Sequence, residues 1–281
     1  MADTLKVAAI QMNTQHDKEA NLRRSEALID EAAATGAQLI ALPEYVSFLG
    51  PKEEHGAVAE DIPGPTTQRY ADRARQHGIY LLGGSIHERS GEPDKFYNTS
   101  VLYGPDGNIL ARYRKIHLFD IDITDNVSAN ESATILPGED IVTAEIGGHV
   151  AGLSICYDLR FPELYRLLAL AGAEILFVPA AFTMFTGKDH WEVLLRARAI
   201  ENQAYVIAPG QVGKHQPNDA QCYGHSMIID PWGTVVARSS DREGIVSAEL
   251  DFGYLRGLRK QLPSLANRRP AAYREREAAR V

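Results

Sequence analysis

Short apolar runs of strand length alternate along this chain with segments whose apolar residues recur three and four positions apart. The first run is "LKVAAIQM", and residues 21–34 then place Leu22, Leu28, Ile29, Ala32 and Ala33 at helical spacing, with Gly36 able to close the helix. "AQLIALPEY" predicts a buried strand ending at Pro43 and Glu44. Residues 66–77 predict a helix and "GIYLLGGSIHE" the next strand. "NTSVLYGPDGNILARYRKIHL" reads as a hairpin about Pro-Asp-Gly, where Pro presets φ and Gly tolerates a positive one. Residues 120–140 are polar and irregular. A second series follows: strand "HVAGLSICYD"; helix "FPELYRLLALAGA", with Leu164, Leu167, Leu168 and Ala171 on one face; strand "EILFVPAAF"; helix "HWEVLLRARAIENQ"; and strand "AYVIAPG". "GHSMIIDPWGTVVARS" is another hairpin and "GIVSAELD" a last strand.

This order predicts one α/β domain over residues 1–281, and the hairpins predict mixed sheets. "YLRGLRKQLPS" reads as a short helix, and the tail from about residue 263 is too charged to pack by itself. No Ser/Gly linker or fixed-period repeat divides the chain.

The formal net charge of −8 changes the list of partners, because such a surface repels phosphate backbones and anionic lipid heads. An anionic small substrate has to be caught by local cations. No apolar run is long enough to span a bilayer, and "MADTLKVAAIQM" lacks the layout of a signal peptide. Two cysteines cannot make a disulfide framework, so a reduced, cytoplasmic protein is expected.

One of those cysteines, Cys156 in "SICYDLRFPE", lies where an apolar run stops and a helix led by Pro162 begins. It is either a small core residue or a nucleophile, and a nucleophilic thiol needs a base or a positive neighbourhood. Glu44 in "LPEY" and Lys115 in "YRKIHLFD" also stand at strand ends, where each is either solvated or serves a site.

In this order, "LPEY", "YRKIHLFD" and "SICYDLRFPELYR" resemble the three signature segments of the nitrilase, or carbon–nitrogen hydrolase, superfamily, and the likeness runs from "VAAIQM" to "NRRPAAY". The resemblance implies a Glu44–Lys115–Cys156 triad, an αββα four-layer sandwich and a homodimer or higher homo-oligomer. It implies no cofactor. It also implies a second glutamate, for which "NESATILPGE" supplies Glu131, either orienting Lys115 or the substrate amide or acting as a loop carboxylate. The expected chemistry is that of a thiol amidase. Glu44 takes the thiol proton, Cys156 attacks the amide carbonyl, and Lys115 with the backbone N–H of Tyr157 stabilises the oxyanion. A thioester remains for water to hydrolyse.

"YGHSM", "DPWGTVVA" and "RARAIENQ" are similar to the branch that includes deaminated-glutathione amidases and omega-amidases, and lie nearer the former. The resemblance thus implies hydrolysis of a terminal amide to acid and ammonia, with deaminated glutathione first and α-ketoglutaramate second. Arg160 is either a carboxylate clamp or paired with Asp158 or Glu163. Arg198 shares a helical stripe with Trp191, Leu194 and Leu195, so it points inward and needs Glu201 or Glu192. Tyr45, Phe48 and Phe182 are either pocket walls or core.

His215, Cys222 and His225 share one loop, but a single thiol, irregular spacing and only Asp219 nearby make a poor zinc site, and no metal is expected. His117, Asp120 and Asp122 read as an active-site loop. Glycines without G-x-G-x-x-G or P-loop spacing give nucleotide binding no support. A nitrilase, a carbamoylase, a silent binding module and a redox sensor on Cys156 are the rival readings.

Overall fold

The computed structural model describes residues 3–124, 127–216 and 220–272. One mixed sheet runs Gly244–Asp251, Thr4–Gln11, Leu39–Ala41, Tyr80–Leu82, Phe96–Tyr103, Ile86–Arg89, with Ile109–Arg114 and Ile135–Leu136 also paired to Phe96–Tyr103. A second runs Thr143–Ile146, His149–Leu153, Ile175–Phe177, Tyr205–Ala208, Met227–Ile229, Val235–Arg238. In each, three central strands are parallel and hairpins supply antiparallel neighbours.

The alternation of side chains along a strand explains the layering. Val7 and Ala9 enter a core shared with Leu153 and Phe177 of the second sheet. Ala8 and Ile10, facing the other way, pack with Leu22, Leu28 and Ile29 of helix Lys18–Ala34 and Tyr70 and Ala74 of helix Pro65–His77. Helices Pro162–Leu170 and Met184–Asn202 cover the second sheet through Leu164, Leu168, Trp191 and Leu195. The result is the expected αββα sandwich. Each fully buried Leu, Ile or Val contributes about 1.5–3 kcal/mol, so strands covered on both faces read as nearly unbroken apolar runs.

Boundaries depart from the sequence reading where polar contacts, invisible to hydrophobic spacing, decide them. The first helix begins at Lys18 because the Asp17 side chain caps it, accepting from the Ala20 N–H at 2.9 Å. Residues 184–189, expected as loop, form the opening turns of the helix that ends at Asn202. The stretch 120–140 contains a hairpin of Asp120–Thr124 with Val127–Asn130 and a turn of 3₁₀ helix at Glu131–Ala133. On helix Pro162–Leu170 the buried stripe is Leu164, Tyr165, Leu168 and Ala169, whereas Leu167 and Ala171 are exposed.

The expected strand over 78–88 breaks at Gly83–Gly84. Gly84 has φ +63°, and a Cβ there would stand 2.1 Å from the Pro43 carbonyl oxygen. Only glycine lets the chain turn against Pro43. Ser85 then holds the next segment: its N–H donates to Pro43 O (3.3 Å), its Oγ accepts from Tyr45 N (2.9 Å), and its carbonyl accepts from Val46 N (3.0 Å). This clamp sets the direction of Glu44. Gly84→Ala is therefore expected to lower unfolding free energy by at least about 2 kcal/mol, read as a shift in denaturant midpoint. An unchanged midpoint would contradict the close approach.

Candidate active site

Strand His149–Leu153 feeds a 3₁₀ turn, Cys156–Arg160, which passes directly into the helix led by Pro162. Cys156 has φ +48°, a conformation uncommon for a residue with a side chain, and Tyr45, next to Glu44, has φ +53°. Such backbone persists only where surroundings over-determine it, and here they do. Cys156 N donates to Pro179 O at 2.9 Å. Asp158, fully buried, accepts from Ile155 N (2.8 Å), Tyr113 Oη (2.7 Å) and His117 N (3.0 Å), with His117 Nδ1 at 2.7 Å. One carboxylate thus fastens the cysteine turn to the strand end that carries Lys115. Arg198 points inward as expected, donating to Leu159 O from Nε and Nη2 (3.0 and 2.7 Å) and to Glu201 (2.8 Å). Glu192 instead receives Arg238 at 2.9 Å.

Lys115 and Glu44 are 2 and 1 % exposed, and Cys156 is 7 % exposed. The Lys115 ammonium donates to Glu44 Oε1 at 3.0 Å and to Glu131 Oε1 and Oε2 at 3.0 and 2.8 Å. Glu44 Oε1 also accepts from Asn98 Nδ2 (2.8 Å), and Oε2 accepts from Ala181 N (2.7 Å). Glu131 accepts from Tyr45 Oη (2.7 Å) and Phe119 N (2.6 Å). Two elements therefore supply a carboxylate each, a third supplies the cation, and the hydrogen-bond capacity of all three is nearly filled.

Charge states follow from this arrangement. Burial works against the Lys115 ammonium, but Glu131 and Glu44 outweigh it and hold its pKa well above the ordinary lysine value. Burial also works against charge on Glu131, and Lys115 reverses that, keeping it below the usual carboxylate range. The Cys156 thiol is pushed well up, first by burial and then by the negative charge of Glu44, while Lys115 pulls the other way. At rest the sulfur carries its proton beside a carboxylate.

A cavity of about 1160 Å³ opens onto Glu44, Lys115, Glu131 and Cys156. Tyr45 and Phe48 line it. Phe182 and Arg160 do not: Phe182 packs 5.1 Å from the Trp191 ring, and Arg160 lies 5.2 Å from the Phe182 ring with Nη1 3.2 Å from His190 Nδ1. Asp158, the partner considered for Arg160, is occupied by Tyr113, His117 and Ile155. The cavity's other cations are Lys52 and Lys188, with no arginine among its described lining residues. Tyr157 is half-buried, its ring edge-on to Phe119 and Phe161, and its N–H lies in the first turn of a helix that offers it no acceptor of its own.

His215 and Cys222 stand on paired strands and both line the cavity, whereas His225 Nε2 meets Asp241 at 2.8 Å. Asp219 lies outside the described residues. His117 stacks on Phe161 with centroids 3.6 Å apart, and Asp120 accepts from Ser132 N at 3.0 Å, so these two brace the loop. Asp158, which holds the cysteine turn, and Asn98, which donates to Glu44, are neighbours of the site that sequence reasoning did not place there. The one available signal for Asn98 was an amide inside the apolar strand "FYNTSVLY".

The carbon–nitrogen hydrolase family pattern matches residues 6–260. A deaminated glutathione amidase of Synechocystis sp. is 46 % identical over 265 residues, covering 93 % of this chain and 97 % of that one. An omega-amidase of Xenopus tropicalis is 41 % identical over 268 residues, covering 95 % and 96 %. Among solved structures, a glutamate-to-glutamine variant of an amidase from Nesterenkonia sp. AN1 superposes with a TM-score of 0.80 at 26 % identity, covering 96 % of this chain and 95 % of that one. It carries the acetamide moiety of fluoroacetamide covalently on its active-site cysteine. A pattern that spans most of the chain, and relatives this similar end to end, place the protein in the carbon–nitrogen hydrolase family, as an amidase.

Proposed function

We propose that Cys156 is the nucleophile of a thioester mechanism, with Glu44 as base and acid and Lys115 as the oxyanion's cation. The observation that carries this reading is the single buried ammonium shared by two carboxylates on the wall of the cavity that Cys156 also lines. Glu44 takes the thiol proton as sulfur bonds to the amide carbonyl carbon. Lys115 and the Tyr157 N–H stabilise the oxyanion. Glu44 returns the proton to the departing nitrogen as the C–N bond breaks, leaving a thioester. It then deprotonates water, whose attack releases the acid and restores the thiol. Glu131 keeps Lys115 charged and placed.

The proposed substrate is deaminated glutathione, in a metabolite-repair role, with α-ketoglutaramate as the alternative for the same site. Support comes from the Synechocystis and Xenopus relatives, from a cavity slightly larger than the usual small-molecule site, and from Lys52 and Lys188 on its wall. The leaving group corrects the sequence-based expectation. In deaminated glutathione the scissile nitrogen belongs to the cysteinyl residue, so hydrolysis yields 2-oxoglutarate and a dipeptide amine. Ammonia is released only from a primary amide such as α-ketoglutaramate.

The chain is proposed to work as one domain in a homodimer in a reducing, cytoplasmic setting. Leu167 and Leu170 on one outer helix and Val193 and Ile200 on its neighbour are exposed, which supports a second copy covering them. Both cysteines are free, and no described helix is long and apolar enough to cross a membrane.

Cys156→Ala is expected to abolish release of 2-oxoglutarate from both substrates, and the wild type to prefer deaminated glutathione in kcat/KM. Full activity of the variant would end the thiol mechanism, and a reversed preference would assign the omega-amidase substrate. Glu44→Gln separates basicity from thiol ionisation. Because Glu44 holds the thiol pKa up, the variant should alkylate with iodoacetamide at lower pH than wild type, while turnover falls about 10²–10⁴-fold. Alkylation shifted to higher pH would contradict the geometry.

A further inference from the structure

Two carboxylates share Lys115, and the hydrogen bonds they accept make them unequal. Each carboxylate oxygen offers about two lone-pair sites. Glu131 Oε1 accepts from Tyr45 Oη (2.7 Å), Lys115 Nζ (3.0 Å) and Asn98 Nδ2 (3.3 Å), and its Oε2 from Lys115 Nζ (2.8 Å) and Phe119 N (2.6 Å). Both oxygens are filled. Glu44 Oε1 is filled as well, by Lys115 Nζ at 3.0 Å and Asn98 Nδ2 at 2.8 Å. Glu44 Oε2 accepts only from Ala181 N, at 2.7 Å, among the described residues. In this cluster one lone pair is therefore open to a proton. The chain segment that holds this oxygen also holds the nucleophile: Cys156 N donates to Pro179 O at 2.9 Å, two residues before Ala181. Asn98 is fully buried on strand Phe96–Tyr103, and its amide nitrogen serves Oε1 of both glutamates. A flipped amide would set its oxygen against two carboxylates, so charge fixes the orientation. Its Oδ1 has no partner among the described residues. An unpaired buried carbonyl works against stability, so the amide at this position serves the carboxylates and not the packing.

We propose that Asn98 is a positioning residue that reserves Oε2 of Glu44 as the atom carrying the proton through the reaction. This deepens the thioester reading of Cys156 and rests on it. Asn98 closes the last site on Oε1 of Glu44, while Tyr45 and Phe119 help to fill Glu131, so the thiol proton has one destination. The proton leaves sulfur for Oε2 as sulfur bonds to the carbonyl carbon, and passes from Oε2 to the departing nitrogen as the C–N bond breaks. Oε2 then takes a proton from water as the water oxygen attacks the thioester, and returns it to sulfur as the C–S bond breaks. Throughout, Oε1 stays on Lys115 and Asn98, so the carboxylate does not rotate and the ammonium keeps its place. Without the Asn98 amide, Oε1 has an open site of its own. The proton is then divided between an oxygen beside Ala181 and one beside Lys115.

The test uses Asn98→Leu, close in volume, and Asn98→Ala, which cannot clash, with deaminated glutathione and α-ketoglutaramate as substrates. Asn98 is not among the cavity's lining residues. In each variant kcat should therefore fall about tenfold or more, by the same factor on both substrates, with KM within about twofold of wild type. A loss taken in KM, a loss that differs between the substrates, or a kcat within about threefold of wild type would overturn the assignment. Alkylation of Cys156 by iodoacetamide gives a readout that needs no turnover. Burial aside, the groups acting on the sulfur are Glu44, Lys115 and Glu131. In the variants both carboxylates keep their charge and lose a donor that spread it, so alkylation should move to higher pH. A merely loosened fold would expose the thiol and move alkylation to lower pH. If wild type turns over neither substrate, a shift to higher pH ends the substrate reading and leaves the role of Asn98 standing. An unchanged or lower alkylation pH overturns that role whatever the turnover.

Discussion

Everything at this site depends on one ammonium kept charged although it is almost wholly buried. Lys115 is 2 % exposed, and an unpaired lysine there would shed its proton. Two carboxylates prevent that, and each is itself held. Glu44 is fixed by Asn98 and the Ala181 N–H, and Glu131 by Tyr45, Asn98 and the Phe119 N–H. A buried ion pair gains net stability only where geometry and further hydrogen bonds offset desolvation. Here that geometry fixes a positive charge and a carboxylate on the wall of the cavity that Cys156 also lines.

The sandwich exists, for this purpose, to bring three chain segments to one point. Glu44 lies three residues past strand Leu39–Ala41, Lys115 just after Ile109–Arg114, and Cys156 three residues past His149–Leu153. The first two belong to one sheet and the third to the other, so the site sits where the sheets face each other. Asp158 ties the sheets at that place, taking Tyr113 and His117 from one side and Ile155 from the other. The positive φ at Tyr45 and Cys156 is the local cost of turning both side chains into the cavity.

The α/β character and the mixed sheets were legible in the sequence because hydrophobic spacing reports burial, whereas the four-layer sandwich followed only from the resemblance carried by three segments. Glu44, Lys115 and Cys156 were legible as three ordered segments, and Arg198 because a cation on an apolar helical stripe must find a partner. The helix start at Met184 was hidden because its first turns carry Thr, Gly, Lys and Asp, which give no period. Arg160 was misplaced because proximity to Cys156 in sequence says nothing of direction after a 3₁₀ turn, which sends it toward His190.

Partitioning of the acyl group is the most direct measurement of the central claim. Deaminated glutathione and α-ketoglutaramate share a 2-oxoglutaryl group and differ only in leaving nitrogen. If both pass through one thioester on Cys156, added hydroxylamine must intercept it and give the same ratio of hydroxamate to 2-oxoglutarate from either substrate. Ratios that differ between the two, or hydrolysis with no hydroxamate from either, would contradict a common covalent intermediate and with it the role assigned to Cys156.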